Sequence, residues 1–577
     1  MNARTRLAAC AVSLLVIVPA CAGDDDAADA PGALTSDRAP EPEPTEPAPP
    51  GTRAQATPPP DTRATATTGA EPSEPDDAAS FSVYIAEPAS IDPSMSSEAE
   101  GSQVIRLLFE PLVLLDPDLD VVPGVATDWE RSDDGLTWTF TLDPAATFSD
   151  GRAVVADDFA FGFARAADPD LAAVSAYQGS PILGWDDVMT GEPSGAIGDE
   201  PIEGVVALDA HTLAITTAEP FALLPKLLTY PIFVPIAPEY VDGEDAAAAY
   251  AEQPIGNGPY AMDGPWEHNA GITVVKNAGY HGEPGVADRI EFKIYADAHT
   301  AFVDFQAGNL DIARTLPADD VAAARDAYPD TFIETPTASL AYIGLPTQVA
   351  PFDNPDIRLA LSLAIDREAI AERIWSGTMV PADGVVPPQA PGADPQCPGC
   401  VYDPERAKQL WDTAGGVPGN SMVVYDISDD GQAQLEAIVN GWKDVLGVDA
   451  ELRSFEFGQY LEETATDLVE GPFELGWVWD YPSGSSILSP LFESTSGVNN
   501  LGYANDELDA RLAEVRAAID EEAGLEALAA AEHVAEADLP LIPILFSAEV
   551  GVHSQRVGNV FVDAGFMYRL EDVEVRD

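Results

Sequence analysis

Between Leu136 and Leu142 the large apolar residues Leu136, Trp138, Phe140 and Leu142 alternate strictly with Thr137, Thr139 and Thr141. A period of two places the four apolar groups on one face, which predicts a strand with one buried side. Asp133-Asp134-Gly135 before it and Ser149-Asp150-Gly151 after it are turn sequences in which glycine supplies positive φ. The period then changes. Phe159 and Phe163 stand one helical turn apart behind Asp157 and Asp158, whose carboxylates suit the positive end of a helix dipole, and Asp168-Pro169 ends the run.

The same reading predicts a strand at Phe81–Ile85 and a helix over Val104–Leu115, running into the apolar segment 112–115. It predicts a hairpin over Ile202–Ile215, turning at Asp209-Ala210. The apolar run Phe221–Pro238 is broken by Pro225, Pro231, Pro235 and Pro238, and reads as strands and turns rather than a membrane span. Asn354 caps a helix with Pro355 at its first position, and Leu361, Ala364 and Ile365 share one face. Asp366 opens a second helix carrying Ile370 and Ile374, ended by Gly377. Near the C-terminus, 539–545 reads as a buried strand. Strands and helices thus interleave, the pattern of an α/β chain long enough for several domains.

The N-terminus is a targeting segment. Arg4 and Arg6 precede the apolar run Leu7–Val18, which is too short to span a bilayer, and Val18-Pro19-Ala20-Cys21 follows. A small residue before that cysteine resembles the bacterial lipoprotein signal; the resemblance implies cleavage before Cys21, a lipid on its thiol and anchoring on the outer face of the cytoplasmic membrane. An ordinary secretory signal is the alternative. Residues 22–80 show no periodicity and hold twelve prolines counted from Pro31, so they are read as a disordered tether.

Charge narrows the partners: 99 acidic against 27 basic residues give a net charge of −72, which repels nucleic acid and anionic membrane surfaces. No Gly-Lys pair, no His-Glu-x-x-His and no serine three residues before any lysine offers a local catalytic arrangement, and the six histidines lack metal-ligand spacing. The expectation from these residues is therefore no enzymatic activity, no cofactor and no metal. With Cys10 and Cys21 in the leader, Cys397-Pro-Gly-Cys400 is the remaining cysteine pair. Outside the membrane it predicts a short disulfide stapling a loop.

One set of motifs carries a family resemblance. Trp129, Asp134-Gly135, Trp138-Thr139-Phe140, Phe148-Ser149-Asp150-Gly151 and Ala156-Asp157-Asp158-Phe159 resemble the signature of the family 5 solute-binding proteins of ABC importers, the oligopeptide-, dipeptide- and nickel-binding proteins. Val155 stands where the family has a capping threonine. Ile91-Asp92-Pro93, 254–260, 357–367, 385–388 and 402–407 are similar to further family segments, with Asn257 in place of a threonine. The resemblance implies the periplasmic-binding-protein-like (type II, cluster C) fold: α/β, two-lobed, with an extra domain. The implied division is a signal peptide at 1–20, a lipid-anchored tether at 21–80, a discontinuous lobe I from 81–115, 202–300 and 535–577, the extra domain at 116–201, and lobe II at 301–534.

It also implies a site. Gly476, Trp477, Asp480 and Tyr481 match a segment that lies in the cleft of peptide-binding members, where the aspartate pairs with the ligand's α-ammonium. Asp480 is then the amine anchor, with Trp477, Trp479 and Tyr481 around it, and aromatic walls strengthen such a contact. A plain turn at 480–482 with both tryptophans in a core is the competing reading. Two departures bear on the ligand: Pro482-Ser483-Gly484 replaces an Asp-Pro, and no lysine or arginine occurs between Arg453 and Arg511. Glu474 stands where peptide binders often carry the cation that meets the ligand's carboxylate. The implied function is capture of a peptide between the lobes by a monomer, with delivery to an ABC permease. An oligosaccharide, an opine-like solute, a metal chelate, or a sensing role are the alternatives.

Overall fold

The computed structural model describes residues 79–577 apart from 97, 118, 428–431, 456–459, 461–468, 480, 519–520, 564–566 and 577. The predicted signal peptide, Cys21 and the tether lie outside the described residues, as does Asp480. No described helix is long and apolar enough to cross a membrane.

The architecture is built on two strands of 13 residues each, Phe332–Gly344 and Leu541–His553, which pair antiparallel along their length. They are the central members of an 11-stranded sheet. On one flank lie Ile312–Ala313, Ser80–Ile85, Arg289–Ile294, Gly271–Lys276 and Tyr260–Met262; on the other lie Phe473–Val478, Ser421–Ile427 and Asp449–Phe455. The register of the two long strands breaks between Pro336 and Leu340 and again between Ala341 and Tyr342. Ile333 before the break packs with Phe81 and Ile290, and Leu340 after it packs with Leu475 and Ile487, so the break lies between two cores, and we call the pair the hinge strands. Each lobe has its own core: Phe81, Val83, Ile290, Phe292 and Tyr568 in the first, Leu340, Leu475, Ile487, Leu508 and Leu528 in the second. The two-lobed α/β fold is the one the motifs imply.

A third core lies under a separate four-stranded antiparallel sheet of Ala126–Arg131, Thr137–Leu142, Thr212–Thr216 and Val205–Asp209, in that order. The alternating strand behaves as its period requires: Trp138, Phe140 and Leu142 are buried, and Phe140 pairs with Trp129. The hairpin at 205–216 joins this sheet. The helix Ala156–Ala167 begins at Val155, which has no side-chain acceptor to cap with. Asp158 caps in reverse, accepting the Val155 N–H at 2.9 Å while Arg152 grips its two oxygens at 2.8 and 2.9 Å. A reciprocal half of a capping box thus replaces the missing threonine.

Two expectations are corrected. The first helix spans Ala99–Leu108, not Val104–Leu115, and Val113–Leu115 is a short strand. Glu98 supplies the cap, accepting from the Gly101 and Glu100 N–H groups at 2.8 and 2.6 Å, and Pro111 separates helix from strand. The run Phe221–Pro238 holds no strand; it forms a short helix at Leu224–Leu227 and 3-10 turns at Pro231–Phe233 and Pro238–Tyr240. Proline's fixed φ suits the first turn of a helix and its missing N–H disqualifies it from a ladder. By contrast Asn354 and Asp366 cap Pro355–Leu363 and Arg367–Arg373 through their side chains. Gly256 and Gly258 allow close approach: a Cβ on Gly256 would stand 1.9 Å from the Leu108 carbonyl oxygen. Between them Asn257 exchanges both side-chain hydrogen bonds with the backbone of Glu110. Cys397 and Cys400 form a disulfide in the loop that follows Met379–Pro381.

Candidate ligand-binding cleft

Ser80–Ile85 runs parallel to both Arg289–Ile294 and Ile312. Ligands of open α/β sheets bind outside the carboxyl ends of such strands. At that edge of the first lobe stand Tyr84, the helix start at Glu98 and Glu100, and Arg314. Arg314 directly follows Ala313, whose partner on the hinge strand is Val552. Next to it Thr315 adopts φ +52°, a conformation costly for a β-branched residue. It is held there by Glu549 of the hinge strand, whose Oε1 accepts from the Thr315 backbone N–H at 2.8 Å and its hydroxyl at 3.1 Å. Burial pushes the Glu549 carboxyl up and the nearby Arg314 charge opposes that rise. Sequence reasoning missed Arg314 and Glu549: their partners are far apart in the chain and no local motif joins them.

The second lobe contributes Phe473–Val478 and the turn after it. Phe473, Leu475 and Trp477 are buried, while Glu474, Gly476 and Val478 are half-buried on the opposite face. Trp477 and Trp479 lie within the core of this lobe; the Trp477 indole donates to the Ser486 carbonyl at 2.9 Å, and the Trp479 N–H to the Ala338 carbonyl at 3.2 Å. Tyr481 is half-buried, 3.2 Å from the Ser485 hydroxyl, with its ring edge-on to Phe221 at 6.3 Å between centroids. Of the four predicted ligand residues, then, Trp477, Trp479 and Tyr481 gather at one place, and Asp480 lies between two of them in sequence. The serine turn that replaces the family's Asp-Pro is tightly bonded: the Ser486 hydroxyl donates to the Tyr481 and Ser483 carbonyls at 2.9 and 2.8 Å. Glu474 accepts from Gln434 at 3.0 Å, and Gln434 in turn accepts from the Trp375 indole at 2.9 Å.

These two sets of residues flank the break in the hinge strands. Glu549 pairs with Thr335 on one side of the Pro336–Leu340 irregularity, and Trp479 bonds to Ala338 within it.

The sequence profile of bacterial extracellular solute-binding proteins, family 5 Middle, matches residues 120–499. The chain belongs to this family. It is 27% identical over 493 residues to the oligopeptide-binding protein OppA of Bacillus subtilis, covering 82% of this chain and 89% of that protein. It is 30% identical over 472 residues to the periplasmic murein peptide-binding protein MppA of Escherichia coli, covering 79% and 86%. The solved structure of MppA in an unliganded open form superposes with a TM-score of 0.76 at 27% identity, over 87% of this chain and 98% of that one. For Haemophilus influenzae OppA in complex with RPPGFSPFR the TM-score is 0.66 at 25% identity, over 87% and 100%. Family 5 proteins bind solutes rather than transform them, so the site is to be read as a receptor.

Proposed function

We propose that this family 5 protein binds peptides between its lobes and delivers them to an ABC permease, from a lipid anchor at Cys21 on the outer face of the cell membrane, as a monomer. The observation that carries the reading is the likeness to relatives whose names record oligopeptide and murein peptide binding, over about four fifths of this chain. Geometry agrees with it. In support, Glu549 pairs with Thr335 before the irregular stretch of the hinge strands and Trp479 bonds to Ala338 within it, an arrangement compatible with closure around a ligand. Closure follows when the ligand binds the closed state more tightly than the open one. In the proposed complex Asp480 holds the ligand's ammonium beside Tyr481, with Trp477 and Trp479 as the packed wall behind it.

Native mass spectrometry of the full chain, purified without denaturation, tests this directly. A series of peptide masses retained by the folded protein is the expected result. A single non-peptide mass would leave the family and the closure mechanism standing and overturn the substrate. Asp480→Asn should then weaken binding of amine-bearing peptides by about tenfold or more, the scale of a charge-assisted contact; unchanged affinity would remove the anchor.

A further inference from the structure

Arg314 is only 2% exposed, yet its guanidinium is incompletely bonded. Among the described residues nothing accepts from its Nε or Nη1, and its ion-pair contact, Nη2 to Glu100 Oε1, is 3.6 Å long. Glu549 does not complete it, because that carboxylate serves Thr315 and the Tyr568 hydroxyl at 3.2 Å. The Tyr568 ring lies 5.7 Å from the guanidinium carbon and holds the side chain from one face. Gly551 lets the hinge strand pass close by, since a Cβ there would stand 2.5 Å from the Tyr568 hydroxyl and 3.4 Å from the Arg314 Cα. A buried cation with unmet donors raises the energy of the unliganded protein, and so does the left-handed Thr315 beside it. Such features persist where a ligand completes them.

The surrounding sequence says which ligand group that is. In the stretches that carry the residues described above, 80–96, 98–100, 311–316, 332–344, 473–479, 481–492 and 541–553, Arg314 is the one lysine or arginine, whereas carboxylates recur. We propose that Arg314 is the subsite for the ligand's terminal carboxylate, in place of the basic residue that Glu474 displaces in the second lobe. Its free donors meet the carboxylate oxygens, and Glu100 is the competing anion that the ligand displaces. The surplus of acidic groups excludes ligands that carry negative charge alone. The class selected is a zwitterion, a peptide with a free amine and a free C-terminal carboxylate. The inference rests on the peptide reading above, and its test separates the two.

Full-length wild type, Arg314→Gln, Arg314→Lys and Glu100→Gln are each offered an equimolar pool of tripeptides as free acids and as C-terminal amides, with bound species read by native mass spectrometry. Wild type should prefer acids by about tenfold, the scale of one charge-assisted hydrogen bond. Arg314→Gln should bind both forms equally at the level of the wild-type amide, Arg314→Lys should keep a weaker preference, and Glu100→Gln should widen it. Failure of wild type to bind either form overturns the peptide reading itself. Binding without an acid preference, or a preference that survives in Arg314→Gln, overturns the subsite and leaves peptide binding intact. Should Arg314→Gln not fold, Arg314→Lys and Glu100→Gln decide it, because a merely structural arginine predicts no change of preference in either.

Discussion

Glu549 on a hinge strand and the pair Glu532 and Glu536 on the helix Glu521–Asp538 are buried alike, 5% exposed against 0% and 1%. Their charges are handled in opposite ways. Burial raises the Glu549 carboxyl as well, but it faces Arg314, a permanent cation that opposes the rise. Glu532 and Glu536, one helical turn apart, form no ion pair with a lysine or arginine among the described residues. Their four oxygens instead accept the N–H groups of Val385, Val386, Asp394 and Gln396, which fold the loop ahead of the disulfide onto the helix. Burial pushes Glu532 up to about 7, and burial followed by repulsion from Glu532 pushes Glu536 up to about 8. Where no cation is supplied, a proton takes its place. A cation thus offsets part of the burial cost at the hinge carboxylate, whereas the clasp carboxylates rely on a proton.

The largest effect expected from breaking this comparison is at the clasp. Glu536→Ala orphans the buried N–H groups of Val385 and Gln396, at about 1–3 kcal/mol each, so urea unfolding should show a loss of about 2–6 kcal/mol. An unchanged midpoint would mean the loop stands without the clasp. The proton gives a second, slightly smaller signature. The folded clasp binds a proton that an unfolded glutamate, at its ordinary 4.5, releases, so its contribution is full below about pH 4.5 and is lost as pH rises through about 7 to 8. For Glu532 alone, the rise from 4.5 to about 7 corresponds to about 3 kcal/mol. Glu536→Gln should flatten the decline, and a wild-type stability that does not fall between pH 5 and 8.5 would show the pair is not protonated.

His281 stands between the two cases, because its charge is present only at lower pH. It joins Glu110, beyond the first helix, to Asp143, after the alternating strand, at 2.6 and 3.2 Å, and so links the first lobe to the small sheet. Its hydrogen bond to Glu110 is the main reason its pKa is raised, against the opposing effect of burial. A raised histidine stabilises fully below its unfolded value of 6.5, and that contribution is lost as pH climbs through the folded value. His281→Gln should cost about 1–3 kcal/mol at pH 6 and less at pH 9. An equal cost at both would assign the residue to packing rather than charge.

What the sequence could and could not disclose follows the same division between local and distant partners. The strand Thr137–Leu142 and the caps Asn354 and Asp366 were legible because the residues that specify them are neighbours in the chain. Glu98 was not read as a cap because glutamate seldom serves as one, and the start of its helix was misplaced by five residues, at Val104 instead of Ala99. Pro225, Pro231 and Pro238 were counted as breakers of any element when they start helical turns. The 477–481 segment is proposed as ligand-binding from its motif, whereas Arg314, Glu549 and Tyr568 meet only through the fold. The burial of Glu532 and Glu536 likewise comes from a distant partner, the loop laid over them.

The smallest effect belongs to the surface and marks the far end of the scale. Lys408 and Asp412 form an ion pair one turn apart on Pro404–Ala414, with side chains 47% and 60% exposed. Water already solvates both groups, and the pair must hold two mobile side chains in one geometry, so the net gain is about 0.5 kcal/mol or less. Asp412→Ala should leave the unfolding midpoint within that margin at physiological salt, where the screening length is about 8 Å. The protein carries a net charge of −72, so losing one carboxylate also relieves repulsion across the surface, which offsets part of the lost attraction. A loss above about 1 kcal/mol would break the ordering argued here, because it would place an exposed pair on the scale of the buried clasp.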